Sequence, residues 1–110
     1  MIKSWTDEAW EDFEYWMEQD RKTLRQIKKL LKDIDRNGYE GIGHPEPLSG
    51  DLSGYWSRHI DEKNRIVYKI ENDIVKIIQC GTERFISVLL RERSDYTRWR
   101  PQRSQREPSQ

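Results

Sequence analysis

"YWSRHIDEKNRIVYKIENDIVKIIQC", residues 55–80, decides how this chain folds. Three stretches within it, 55–60, 65–70 and 74–80, are rich in β-branched and aromatic residues. Such residues suit a pleated, half-buried surface and favour strands. The linkers "DEKN" and "END" are short and polar, so two successive hairpins follow. An antiparallel meander is predicted over 55–80.

Upstream the apolar period becomes helical. Ala9, Trp10, Phe13, Trp16 and Met17 recur at helical spacing. Thr6 is the predicted N-cap, and Asp7 and Glu8 place negative charge at the positive end of the helix dipole. Leu24, Ile27, Leu30, Leu31 and Ile34 give a second helix its apolar face. Asp20 can cap that helix, and Asn37-Gly38 ends it. "IKSW", residues 2–5, reads as a short first strand. Residues 38–54 hold five of the six glycines and read as a long ordered loop, or a loop with one short strand.

The order is N-terminal strand, two-helix hairpin, antiparallel meander. It predicts an α+β fold with the helices on one face of the sheet. Too few elements remain to cover the other face, which is expected to be concave and partly polar. Arg58, His59 and Arg65 lie on the central hairpin and are candidates for it. Strand parity does not decide which of them point there, because the register is open. In the alternative they are ordinary solvent-facing sheet residues.

Hydrophobic residues make up 34% of the chain and charged residues 36%, so the core must be small. Five Trp and five Tyr compensate, since each ring buries much apolar area. Cys80 is the single cysteine, and there are two histidines without close ligand spacing. That excludes an internal disulfide framework and argues against a structural metal site. No apolar run approaches the roughly 18 residues of a membrane span. The expectation is a cytoplasmic protein with no membrane partner and no cofactor.

Net charge is zero, but its distribution is uneven. Residues 4–20 carry seven acids and no base; residues 21–36 carry seven bases, with only Asp33 and Asp35 as acids. Either the two runs complement each other across the helical hairpin, or one face is left to meet polyanions.

"HPEPLSG", residues 44–50, sets Glu46 between two prolines. Proline fixes its own φ and restricts the residue before it, so the Glu46 backbone is constrained from both sides. Taken alone, this is most simply a solvated loop glutamate.

The combination of "GIGHPEPL" and "LSGYWSRHIDEKNRIVYKI" with a short final strand resembles the YoeB (Txe) toxins of the RelE/ParE superfamily. "WTDEAWEDFEYW" and "LLKDIDRNGYEGIG" are similar to that family too, so the resemblance spans about residues 1–80. It implies a microbial-ribonuclease-like fold and a ribosome-dependent mRNA endonuclease. It also implies a YefM-like antitoxin, operator DNA met only through the antitoxin complex, and leaves a homodimer open. Glu46 matches the family's general base and Arg65 the arginine that stabilises the phosphorane. Arg58 aligns with a basic strand residue that could position the RNA backbone. His59 stands at a second substrate-binding position, where the family commonly has arginine. Ser49 stands where lysine is common.

The C-terminus departs from the family. Where the family ends in a His-Tyr pair, with the histidine as general acid, "CGTERF" puts Glu83 and Arg84. The resemblance therefore implies a toxin domain over 1–84 and an atypical arginine-rich tail over 85–110. Residues 1–80 contain eight lysines and five arginines, whereas 81–110 contain seven arginines and no lysine. That change suggests a shifted reading frame after Cys80, with a natural arginine-rich tail as the alternative. The last ten residues are polar and expected to be disordered. The rival functional reading is a weakened or inactive toxin relative. It would retain antitoxin binding and act as a transcriptional co-repressor component.

Overall fold

Thr6 begins the first helix by accepting the Ala9 N–H on its hydroxyl at 3.1 Å. Helix α1 runs Asp7–Gln19 and helix α2 runs Arg21–Asn37. Asp20 alone joins them. Its N–H donates to Trp16 O at 3.0 Å, closing α1, and its carboxylate accepts the Thr23 N–H at 3.1 Å, opening α2. One residue that serves both ends makes the hairpin tight. Gly38, at φ +67°, ends α2 with its N–H donated to Ile34 O at 2.8 Å.

The strands are β1 (Ile2–Trp5), β2 (Glu46–Pro47), β3 (Trp56–His59), β4 (Arg65–Glu71) and β5 (Ile74–Gly81). They form one sheet in the order β1-β5-β4-β3-β2. The predicted meander is its antiparallel centre, and β1 adds to it in parallel beside β5. Asn72 and Asp73, both at positive φ, make the tight β4–β5 turn, in the conformation that matches strand twist. At the β3–β4 turn the Asp61 carboxylate accepts the N–H groups of Lys63 and Asn64 at 2.8 and 2.7 Å. That turn fixes where Arg65 enters β4. The computed structural model describes residues 1–81; Glu83, Arg84, the expected tail over 85–110 and the disorder expected of the last ten residues lie outside the described residues.

The core is small, as the composition requires. Ala9 of α1 and Ile27, Leu30 and Ile34 of α2 pack on Ile66, Tyr68, Val75, Ile77 and Cys80 of the sheet. Trp5, Phe13, Trp16, Tyr39 and Trp56 close its margins. The two charge runs do not complement each other. Arg21, Lys22, Arg25, Lys28, Lys29, Lys32 and Arg36 are all exposed, and none makes an ion pair among the described residues. The two acids of α2 turn away from them: Asp35 pairs with Lys3 and Asp33 with Arg58. The outer face of α2 is left basic.

Candidate active site

Strand register sorts the candidate residues onto two faces. Glu46 lies opposite Ser57, and His59 lies opposite Arg65. Opposed residues share a face, and residues two apart on one strand share it too. Glu46, Ser57, His59 and Arg65 therefore project from the side away from the helices. Arg58, between Ser57 and His59, projects to the helix side.

Arg58 is fully buried there. Its guanidinium donates to Asp33 Oδ2 at 2.6 Å and to the carbonyls of Gly38, Glu40 and Ile42 at 2.9, 2.6 and 3.1 Å. Its Nε donates to the Tyr68 hydroxyl at 3.0 Å. The hydrogen bond from Arg58 holds the Asp33 carboxyl below the usual carboxylate range, despite partial burial. Arg58 therefore shapes the chain from the end of α2 towards β2. It has no face left for a phosphate, which corrects the expectation that it positions the RNA backbone.

The other three candidates come together. Arg65 Nη1 donates to Glu46 Oε2 at 3.2 Å and to Ser57 Oγ at 3.4 Å, so the guanidinium reaches across β3. Arg65 is largely covered, while the Glu46 side chain is 54% exposed. The site thus holds its cation in place and leaves its carboxylate open to a ligand. The two prolines do not leave Glu46 in a free loop. Glu46 and Pro47 form β2, the edge strand paired with β3. An edge is where proline is tolerated.

His59 sits beside this pair, partly exposed. Burial lowers its pKa, and the Arg65 charge adds to that; Glu46 and the Asp61 backbone act in the opposite sense. His44, two residues before Glu46, presents its ring edge-on to His59 at 6.0 Å between centroids. Gly43 makes this approach possible. Its carbonyl accepts the His59 N–H at 2.7 Å. At φ +82° a Cβ there would be strained and would stand 2.9 Å from Leu30 Cδ2 and 3.1 Å from His59 O, which favours glycine.

Reading the sequence missed Ser57, Gln79 and His44. Gln79 is fully buried on the same face, in register with Val67 and through it with Ser57. Its Nε2 donates to Gly81 O at 3.2 Å. The β3–β4 and β4–β5 registers bring Ser57 and Gln79 to this face, and the Gly43–His59 hydrogen bond brings His44 beside His59. Ser49 forms no hydrogen bond to the pair; it precedes a single 3-10 turn at Gly50–Leu52.

A two-helix layer on a five-stranded mixed sheet, with the opposite face carrying a carboxylate–guanidinium pair, places the fold among the YoeB/RelE-like toxins. Residues 5–83 match the model of the YoeB-like toxin of bacterial type II toxin–antitoxin systems, and the chain belongs to that family. Toxin YoeB of Streptomyces coelicolor is 50% identical over 77 residues, which cover 70% of this chain and 92% of the relative. The YoeB/ParE toxin from Agrobacterium tumefaciens superposes with a TM-score of 0.73 at 37% identity, covering 74% of this chain and 98% of that one. Staphylococcus aureus YoeB is similar both as a dimer and in a YoeB–YefM complex. Their TM-scores are 0.70 and 0.71 at 41% and 40% identity, each covering 74% of this chain and 94% of that one.

Proposed function

We propose that this toxin is a ribosome-dependent endoribonuclease that cleaves mRNA by attack of the ribose 2′-hydroxyl on the adjacent phosphorus. The observation that carries this reading is the Arg65–Glu46 pair on the sheet face away from the helices. Glu46 takes the 2′-hydroxyl proton as general base. Its strand position between two prolines leaves little backbone entropy to lose, which suits a positioned base. Arg65 stabilises the charge that develops on the phosphoryl oxygens, where a planar guanidinium serves two oxygens at once. A base, a guanidinium and a proton donor suffice for the reaction, so it calls on no cofactor.

The basic outer face of α2 supports a polyanionic partner, which for this reading is ribosomal RNA. A YefM-like antitoxin is the expected inhibitor, supported by the Staphylococcus aureus YoeB–YefM complex. Operator DNA is then met only through that complex. A homodimer is supported by the YoeB dimer from the same organism. No described helix is long and apolar enough to cross a membrane. On this reading the site of action is the translating ribosome of the cytoplasm.

The test is translation-dependent mRNA cleavage by Glu46→Gln in a reconstituted system. Loss of a positioned base lowers the rate on the order of 10²–10⁴-fold; equal rates for variant and native chain would overturn the reading. The absent His-Tyr pair favours a second reading, a silent relative that keeps antitoxin binding. In that case the native chain forms the antitoxin complex and leaves mRNA intact.

A further inference from the structure

We infer that His59 is the general acid of this chain, protonating the 5′-oxygen that leaves when the RNA strand is cut. The inference rests on the endoribonuclease reading above and supplies the proton donor that it lacks. The chain has two histidines in all. Both lie at the site: His59 is the register partner of Arg65, and His44 meets His59 edge-on two residues before Glu46.

The geometry suits opposed proton transfers. Glu46 and His59 occupy adjacent strands of one face, two residues apart in register. With strands about 4.8 Å apart and about 3.3 Å of rise per residue, their Cα atoms stand roughly 8 Å apart. A phosphate held on the Arg65 guanidinium then has the carboxylate towards β2 and the imidazole along β3. In-line displacement requires the base and the acid on different sides of phosphorus. The O2′–P bond forms as Glu46 takes the 2′-hydroxyl proton. The P–O5′ bond breaks, and its electron pair leaves on O5′, which receives the proton of the His59 imidazolium. The products are a 2′,3′-cyclic phosphate and a 5′-hydroxyl end. Water restores both side chains.

Among the described residues, four groups act on the imidazole. Arg65 on β4 and His44 on the preceding loop disfavour its charged form, while Glu46 on β2 and the Asp61 backbone at the turn favour it. With burial the largest influence, its pKa lies below the ordinary 6.5. Cleavage that needs the imidazolium therefore falls as pH rises above that value, by about tenfold per unit.

The decisive substrate is an mRNA with sulfur replacing the bridging 5′-oxygen at the cut site. A thiolate leaves without being protonated, so an acid is dispensable there. On the ordinary substrate His59→Ala is expected to lose on the order of 10²-fold or more and the falling alkaline limb. On the 5′-thio substrate the loss should shrink to within about threefold. Glu46→Gln should stay defective on both substrates, because the base is needed for either leaving group. An equal loss by His59→Ala on both substrates, or no loss on either, overturns the assignment while leaving the Glu46 reading intact. A native chain that cuts only the 5′-thio substrate has no acid, which also overturns it. A native chain that cuts neither overturns both readings.

Discussion

Arg65 Nη1 stands 3.2 Å from Glu46 Oε2, with strand β3 lying between the strands that carry them. The pair joins residues 19 apart in sequence. The Glu46 side chain is half exposed, so the ion pair contributes little to folding, at most about 1 kcal/mol. Its consequence is orientation: each group holds the other over Ser57.

Arg65→Lys separates charge from geometry. The lysine keeps the positive charge but cannot bridge two phosphate oxygens. Cleavage should fall by at least about 10²-fold, while the melting temperature moves by less than about 5 °C. A large melting shift with unaltered cleavage would assign Arg65 to the fold.

Arg58→Met should do the reverse. It removes the donor from the Glu40 and Ile42 carbonyls and the partner from Asp33, while the Tyr68 hydroxyl and Gly38 O keep each other. Buried polar groups left unpaired cost about 1–3 kcal/mol each. The melting temperature should fall by more than about 10 °C, at roughly 4–8 °C per kcal/mol. Near-native stability measured by calorimetry would contradict the role given to Arg58.

Asp33 gives the pH dependence. Its folded-state pKa lies below the ordinary 3.8, chiefly through the Arg58 hydrogen bond. The stabilisation is therefore present above about 3.8 and is lost as pH falls through the lower folded value. Asp33→Asn should be less stable than the native chain at pH 7, and the two denaturation midpoints should converge towards pH 2. A difference that stays constant over that range would locate the effect elsewhere.

Cys80 should resist thiol reagents until the chain unfolds. It is fully buried, and its thiol points to the Ala9 carbonyl at 3.5 Å. Burial pushes its pKa far above the ordinary thiol value, and Asp12 adds to the shift. Because it is the single cysteine, labelling by iodoacetamide at pH 8 reads it alone. Reaction should require denaturant; fast labelling of the native protein would show that the β5–α1 contact opens.

The α2 surface predicts a salt-sensitive encounter with the ribosome. Lys28→Glu with Lys32→Glu reverses two exposed charges of α2 that make no ion pair among the described residues. Ribosome-dependent cleavage should weaken severalfold or more, most at low ionic strength, while circular dichroism stays native. Unaltered cleavage and unaltered ribosome binding would make the basic stripe only a solvated face.

The sequence by itself determined the elements. Period-2 and period-3.6 patterns, the Thr6 and Asp20 caps and the short polar turns act within a few residues, so they can be read locally. The YoeB-like motifs also marked Glu46 and Arg65. Tertiary structure alone decided which neighbouring side chain faces which way. Arg58 and His59 are adjacent and both polar, and a one-residue slip would exchange them. The β3–β4 turn, anchored by Asp61, fixes that register. It buries Arg58 against Asp33 and turns His59 towards Glu46. The parallel pairing of β1 with β5 and the meeting of His44 with His59 are likewise contacts between distant parts of the chain. No local pattern specifies such contacts; they form because the helix face and the sheet face must be buried together.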